Sequence, residues 1–356
     1  MAFRLRHIHL PSAPGRGIFP TYASASALQE LLRRQFLDAK DNGTISQLQP
    51  AVISFTPQPT FTLGRRQAEA ALSSAELARL KAPLRITSPN GQHVFEPAVL
   101  ASPRGGLTTY HGPGQVVLWP VLDLKSPRHR QFSVRCYSRL LETTTIAVLA
   151  RLWGLRAFTT EDPGVWVRSV FSGAEAQEEE EQETRKIAAL GVHLRRHVSA
   201  LGTAINLSMP TTRGVVSPVP SDGSATSAPV TDEDGGHARQ ESDEESTNPW
   251  ARFVACGLAG KGVTCVAAET QAALKDGRGA GRGAGRGAAV GGVVESGSGT
   301  AGLNAGTVAS AWAAELARAL GVEGVDEIDE AGVESLLAKA KDQGAAGYVA
   351  SAEEAL

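Results

Sequence analysis

A chain of 356 residues, 42% hydrophobic with a formal net charge of −2, can build a sizeable core and has no general electrostatic pull toward nucleic acid or a membrane surface. No apolar run approaches the ~18 residues needed to span a bilayer. The cysteines, Cys136, Cys256 and Cys265, are odd in number and lack CxxC spacing, which argues against a disulfide framework or structural zinc and for a reducing compartment.

Residues 1–29 carry Arg4, Arg6 and Arg16 and no acidic side chain, a composition compatible with a mitochondrial presequence. Residues 3–10 nevertheless alternate apolar with charged up to Pro11, the pattern of a half-exposed strand. Both readings stand on sequence alone. The spacing of Leu28, Leu31, Leu32, Phe36 and Leu37 predicts a helix over 23–42, stopped at Gly43. Residues 51–55 read as a buried strand, and Pro57 and Pro59 lead into 60–66. Ser73 or Ser74 can cap a short helix over 75–81. An edge element follows at 84–90, and 94–102 leads into the most distinctive stretch of the chain.

That stretch is Arg104-Gly105-Gly106-Leu107-Thr108-Thr109-Tyr110-His111-Gly112-Pro113-Gly114-Gln115. Its glycines allow close backbone approach to a ligand, and the Gly-Pro-Gly turn feeds residues 116–123, too apolar to be anything but buried. It reads as one wall of a binding site. A second amphipathic helix is predicted over 133–153, ended by Gly154, with Cys136 as a buried packing residue. Strand 165–167 follows. Residues 172–184 form an acidic loop, and order returns at 185–196 and 198–207.

Residues 211–249, rich in Pro, Ser, Thr, Gly and acids, read as a disordered insertion. The Gly-Arg-Gly-Ala repeats within 276–302 read as a flexible linker; RNA binding through them is the minority reading. A helix over 307–321 turns Trp312, Leu316 and Leu320 to one face, and 323–356 reads as an acidic helical tail. Alternating strands and helices imply one α/β or α+β layered domain, 1–275 plus 303–322, interrupted by insertions.

Two side chains stand out chemically. Cys256 lies where a Phe-Val run meets a glycine-rich turn, sterically open to a thioester or amine. A free thiol is only a few per cent ionised at neutral pH, so a base must activate it; otherwise it is a small buried hydrophobe, the reading kept for Cys265. Lys186 opens the apolar run 187–192, where desolvation can favour the neutral amine. Taken alone it is a solvated lysine. Arg185, one residue earlier, points to the opposite face of an extended segment.

Arg104 to Gln115, Pro163-Gly164-Val165-Trp166-Val167, Lys186-Ile187-Ala188-Ala189-Leu190-Gly191 and Ala255-Cys256-Gly257-Leu258-Ala259-Gly260 occur in the order found in lipoyl(octanoyl) transferases. The resemblance covers nearly all the ordered sequence to about residue 270 plus the 307–321 helix, and the insertions, which lie outside it, resemble those of eukaryotic, particularly fungal, members. It implies a fold shared with lipoate and biotin protein ligases, a mixed sheet flanked by helices. It also implies transfer of octanoyl from the phosphopantetheine thioester of acyl carrier protein to a lysine of lipoyl domains. Those domains belong to 2-oxoacid dehydrogenase complexes and the glycine cleavage H protein.

By motif position Cys256 resembles the acyl-accepting nucleophile and Lys186 its acid/base partner. Arg104, Gly105, Gly106, Leu107, Thr108, Thr109, Tyr110 and His111, with Ala189, Leu190, Gly191, Gly202, Thr203 and Ala204, resemble the segments lining the acyl pocket. Ala189 replaces a serine often found there, and Cys265 a hydroxyl residue. No metal or resident cofactor, nucleic acid or membrane is expected, and the chain is expected to act as a monomer, in mitochondria or otherwise in the cytoplasm. The alternatives are an ATP-dependent ligase of the same fold and an RNA-associated protein using the arginine–glycine repeats.

Overall fold

The computed structural model describes residues 3–69, 72–88, 91–169, 183–212, 244–253, 261–275 and 304–344. The first half runs β1 (Leu5–His9), α1 (Tyr22–Asp41), β2 (Ala51–Phe55), β3 (Thr60–Leu63), α2 (Arg65–Glu69) and α3 (Ser74–Lys81). It continues through β4 (Leu84–Ser88), β5 (Gly91–Phe95), β6 (Ala98–Ala101), β7 (Thr108–His111), β8 (Gln115–Val121) and α4 (Val134–Trp153). Then come β9 (Ala157–Phe158), β10 (Gly164–Ser169), β11 (Glu183–Arg195), β12 (Val198–Asn206), β13 (Gly262–Val263) and α5 (Val266–Lys275). The chain closes with α6 (Ala305–Leu320), β14 (Val325–Glu327) and α7 (Glu330–Asp342).

The apolar run after the Gly-Pro-Gly turn becomes β8, buried throughout because helices cover both faces of its sheet. The strand order is β14-β1-β2-β8-β12-β11-β10-β9, with β13 beside β11. Pairing is parallel at β14–β1, β1–β2 and β11–β13 and antiparallel from β2 through β9, so the sheet is mixed. Val116 and Leu118 of β8 join α4 and Trp312 of α6 in one core. Val117, Trp119 and Val121 face the opposite core, with α1 and with Val333 and Ala340 of α7. This is the expected α/β arrangement, a mixed sheet flanked by helices.

A smaller sheet, β6-β3-β7, packs over its own core of Phe61, Tyr110 and Trp250. The predicted edge element at 84–90 is half of a separate hairpin, β4–β5. Ser73 caps α3 through a reciprocal capping box with Glu76.

Several expectations change. Cys136 is exposed, because the first turn of α4 faces solvent there. Residues 244–249, the end of the expected disordered insertion, are ordered: 244–247 are helical, and Asn248 accepts a hydrogen bond from the Trp250 N–H. The tail contributes more than a helix. Its β14 extends the sheet beyond β1, and Glu327 sits 2.6 Å from Nδ1 of buried His7. His7 and His9 both contact Ser54 Oγ, at 2.7 and 2.8 Å, tying this edge to β2. Residues 213–243, 254–260 and 276–303, and most of the acidic loop, lie outside the described residues.

Candidate active site

Lys186 owes its position to a break in strand alternation. Gly164 and Val165 of β10 pair with Ala189 and Ala188, whereas Trp166 and Val167 pair with Lys186 and Arg185. Ile187 is therefore an extra residue, a β-bulge. The consecutive Ile187 and Ala188 both enter the same core, leaving Lys186 and Ala189 on the other face. In a regular strand these two side chains, three residues apart, would point oppositely. The bulge brings both to one cavity.

The amine of half-buried Lys186 lies 4.7 Å from the ring centroid of fully buried Trp166. Lys261 Nζ stands 5.0 Å from the same ring and 2.6 Å from Asp162 Oδ2. Arg185 turns away: its guanidinium donates to the Thr212 carbonyl at 2.9 Å and approaches Glu269 at 3.7 Å. Gly164 gives Lys186 its room. A Cβ there would come 2.7 Å from the Ala188 carbonyl oxygen and 3.0 Å from Lys186 Cε, at a φ of +131°. Gly164→Ala should therefore displace the amine and lower turnover about tenfold or more, with chain folding retained by circular dichroism; wild-type turnover would show that the amine's position is immaterial.

The cavity, ≈ 370 Å³, opens between the large sheet and the wall formed by the glycine-rich stretch. Arg104, though buried, lines it with its guanidinium anchored on Thr62, donating to the carbonyl at 2.6 Å and to Oγ1 at 2.9 Å. Its stem lies against Gly191, where a Cβ would sit 3.0 Å from Arg104 Cδ. His111 is buried, stacked on Tyr22 at 5.5 Å. Burial, reinforced by Arg104 and opposed by Gln115, pushes its imidazole down to about 4, so it is neutral at physiological pH. Burial pushes the Tyr22 phenol up to about 12. Trp119 packs edge-on to Tyr22 at 5.0 Å.

Of the site residues expected from sequence, Arg104, Gly105, Gly106, Thr109, His111, Lys186, Ala189, Leu190, Gly191, Gly202, Thr203 and Ala204 line this cavity. Leu107, Thr108 and Tyr110 are not among its lining residues. Strand alternation explains the last two: Thr109 and His111 face the cavity, and Tyr110 faces the small core against Phe61 and Trp250. Leu107 serves through its carbonyl, which accepts from the Gly64 N–H at 3.2 Å.

Cys256 and Val254 of the Phe-Val run before it lie outside the described residues; upstream of them Pro249–Arg252 form a 3₁₀ helix. Trp250, before that segment, and Val263, after it, both line the cavity. Tyr22, Trp119 and Asp162 line it as well, without having been expected. Asp162 stood beside a quoted motif, whereas Tyr22, at the start of a helix far away in sequence, left no local signal.

A family model described as the lipoyl protein ligase A/B catalytic domain matches residues 21–217. The chain is 33% identical over 189 residues to a probable octanoyltransferase of Schizosaccharomyces pombe, covering 53% of this chain and 70% of that one. It is 32% identical over 186 residues to the mitochondrial octanoyl-[acyl-carrier-protein]:protein N-octanoyltransferase of Danio rerio, covering 52% of this chain and 66% of that one. A solved lipoate-protein ligase A bound with ATP is similar at a TM-score of 0.45 and 13% identity, over 96% of this chain and 95% of that chain.

Proposed function

This chain belongs to the family of lipoyl protein ligase A/B catalytic domains, as an octanoyltransferase of the eukaryotic type, and we propose that it carries octanoyl from acyl carrier protein to a lipoyl-domain lysine on Cys256. The observation that supports this most is the Lys186 amine, set by a bulge into a cavity walled by Arg104 to His111. In its neutral form Lys186 takes the proton of Cys256, and the thiolate attacks the carrier thioester. The tetrahedral intermediate collapses with loss of the phosphopantetheine thiolate, which the Lys186 ammonium protonates. Backbone N–H groups of the glycine-rich segments are the candidate oxyanion donors.

The acyl-cysteine is then attacked by the target amine, Lys186 receives its proton, and the Cys256 thiolate leaves. Thioester exchange is nearly isoenergetic and amide formation is downhill, so neither ATP nor a resident cofactor is required. The kinetics are ping-pong. The donor is octanoyl-acyl carrier protein, and the acceptors are lipoyl domains of 2-oxoacid dehydrogenase complexes and the glycine cleavage H protein. The chain acts as a monomer in mitochondria, the location named for the Danio rerio relative. Incubation with octanoyl carrier protein and a lipoyl domain, without nucleotide, should yield the octanoylated domain by mass spectrometry; product only when ATP is added would instead identify an adenylating ligase.

A further inference from the structure

Behind His111 runs a buried chain of hydrogen bonds whose direction is fixed at its far end. The Thr264 backbone carbonyl can only accept, so Asn206 Nδ2, at 2.9 Å, must donate to it. Asn206 Oδ1 is then an acceptor, and the group 2.8 Å away is Gln115 Nε2, which donates. The same Gln115 amide also points at the Tyr110 carbonyl at 3.4 Å, which demands the same orientation. Gln115 Oε1 is left as the acceptor facing His111 Nδ1 at 3.1 Å, so Nδ1 carries the proton. Gln115 and Asn206 are almost wholly buried and Thr264 wholly so. The chain ends on the backbone that holds the base, since the Thr264 N–H donates to the Lys186 carbonyl at 3.0 Å.

A neutral imidazole protonated at Nδ1 has a bare lone pair at Nε2. Such a nitrogen repels an oxyanion and accepts from a donor. We infer that His111 offers Nε2 to the cavity as a hydrogen-bond acceptor for a substrate N–H close to the reacting acyl group, with Gln115 and Asn206 as the positioning residues that fix its tautomer. This rests on the acyl-transfer reading above, whose substrates supply two such donors. One is the amide N–H of the pantetheine arm and the other is the N–H of the attacking lysine amine. The charged or titratable groups lining the cavity are Tyr22, from α1, Arg66, from α2, Arg104, from the glycine-rich wall, Lys186, from β11, and Asp162, which is paired with Lys261 at 2.6 Å. Of these, Arg104 is the charge that acts on the imidazole, and it disfavours imidazolium.

Histidine-selective ¹⁵N labelling of the full chain, read through two-bond ¹⁵N–¹H correlations, should show His111 protonated at Nδ1 and bare at Nε2. A proton on Nε2 would overturn the inference, and this result does not depend on any variant folding. Gln115→Glu then places a carboxylate against Nδ1, which favours imidazolium and blocks the Nε2 lone pair. One half-reaction should fall about tenfold at pH 7 and recover as pH rises and His111 deprotonates, whereas a loss equal at every pH would be structural damage and would sink the proposal. A loss confined to acyl-enzyme formation assigns the N–H to the pantetheine arm; one confined to transfer onto the lipoyl domain assigns it to the target amine. A wild-type chain that forms no acyl-enzyme would overturn the acyl-transfer reading and the N–H assignment together, while the spectrum would still judge the tautomer.

Discussion

Lys186→Ala should slow formation of the acyl-enzyme by about 10²–10⁴-fold, the usual contribution of a positioned general base. Lys186→Arg should fail nearly as badly, because a guanidinium does not deprotonate in this pH range. The arginine variant keeps positive charge over Trp166, so it separates proton transfer from simple cation–π packing. Stopped-flow or quench measurement of the first half-reaction is the suitable readout, since steady-state turnover mixes both halves. A Lys186→Arg enzyme acylated at the wild-type rate would mean that the lysine supplies charge and not a proton acceptor.

The largest effect on stability is expected at Trp312→Ala. This side chain is fully buried between α4 and the sheet, in the same core as Val116, Leu141 and Ile187. Its Nε1–H donates to Thr145 Oγ1 at 3.0 Å. Truncation leaves a large cavity and removes that buried hydrogen bond, a combined loss of about 3–5 kcal/mol. Urea unfolding should show the midpoint falling; a change under about 1 kcal/mol would mean that α6 is not docked as described.

Trp312 also shows what the sequence could express. The 307–321 helix, like the one predicted at 23–42, was visible because its apolar residues recur with the helical period and one face alone is buried. The cap of α3 was legible only as Ser73 or Ser74; the structure takes Ser73, with Glu76 completing a capping box. β14 gave no such signal: Val325–Glu327 is short and acidic and becomes a strand only by pairing with β1, some 320 residues away in the chain. The bulge at Ile187 was equally silent. Regular alternation would have separated Lys186 from Ala189, and only pairing with β10 reveals the inserted residue.

At the site, the motif resemblance picked out Arg104, His111 and Lys186, and these three meet at one cavity. It included Tyr110 as well, which strand alternation turns to the other side. Tyr22 and Trp119 complete the apolar surface through packing between α1 and β8, a relation that no single stretch encodes. The tautomer of His111 was likewise invisible in sequence. It depends on Gln115, Asn206 and Thr264 meeting from three separate parts of the chain.

Intact-protein mass spectrometry after mixing the chain with octanoyl carrier protein, without nucleotide or lipoyl domain, tests the central claim most directly. One octanoyl group should appear, localised by peptide mapping to Cys256, labile to hydroxylamine and absent from Cys256→Ser. An unmodified wild-type chain, or an octanoyl group mapped to Cys136, Cys265 or a lysine, would contradict it.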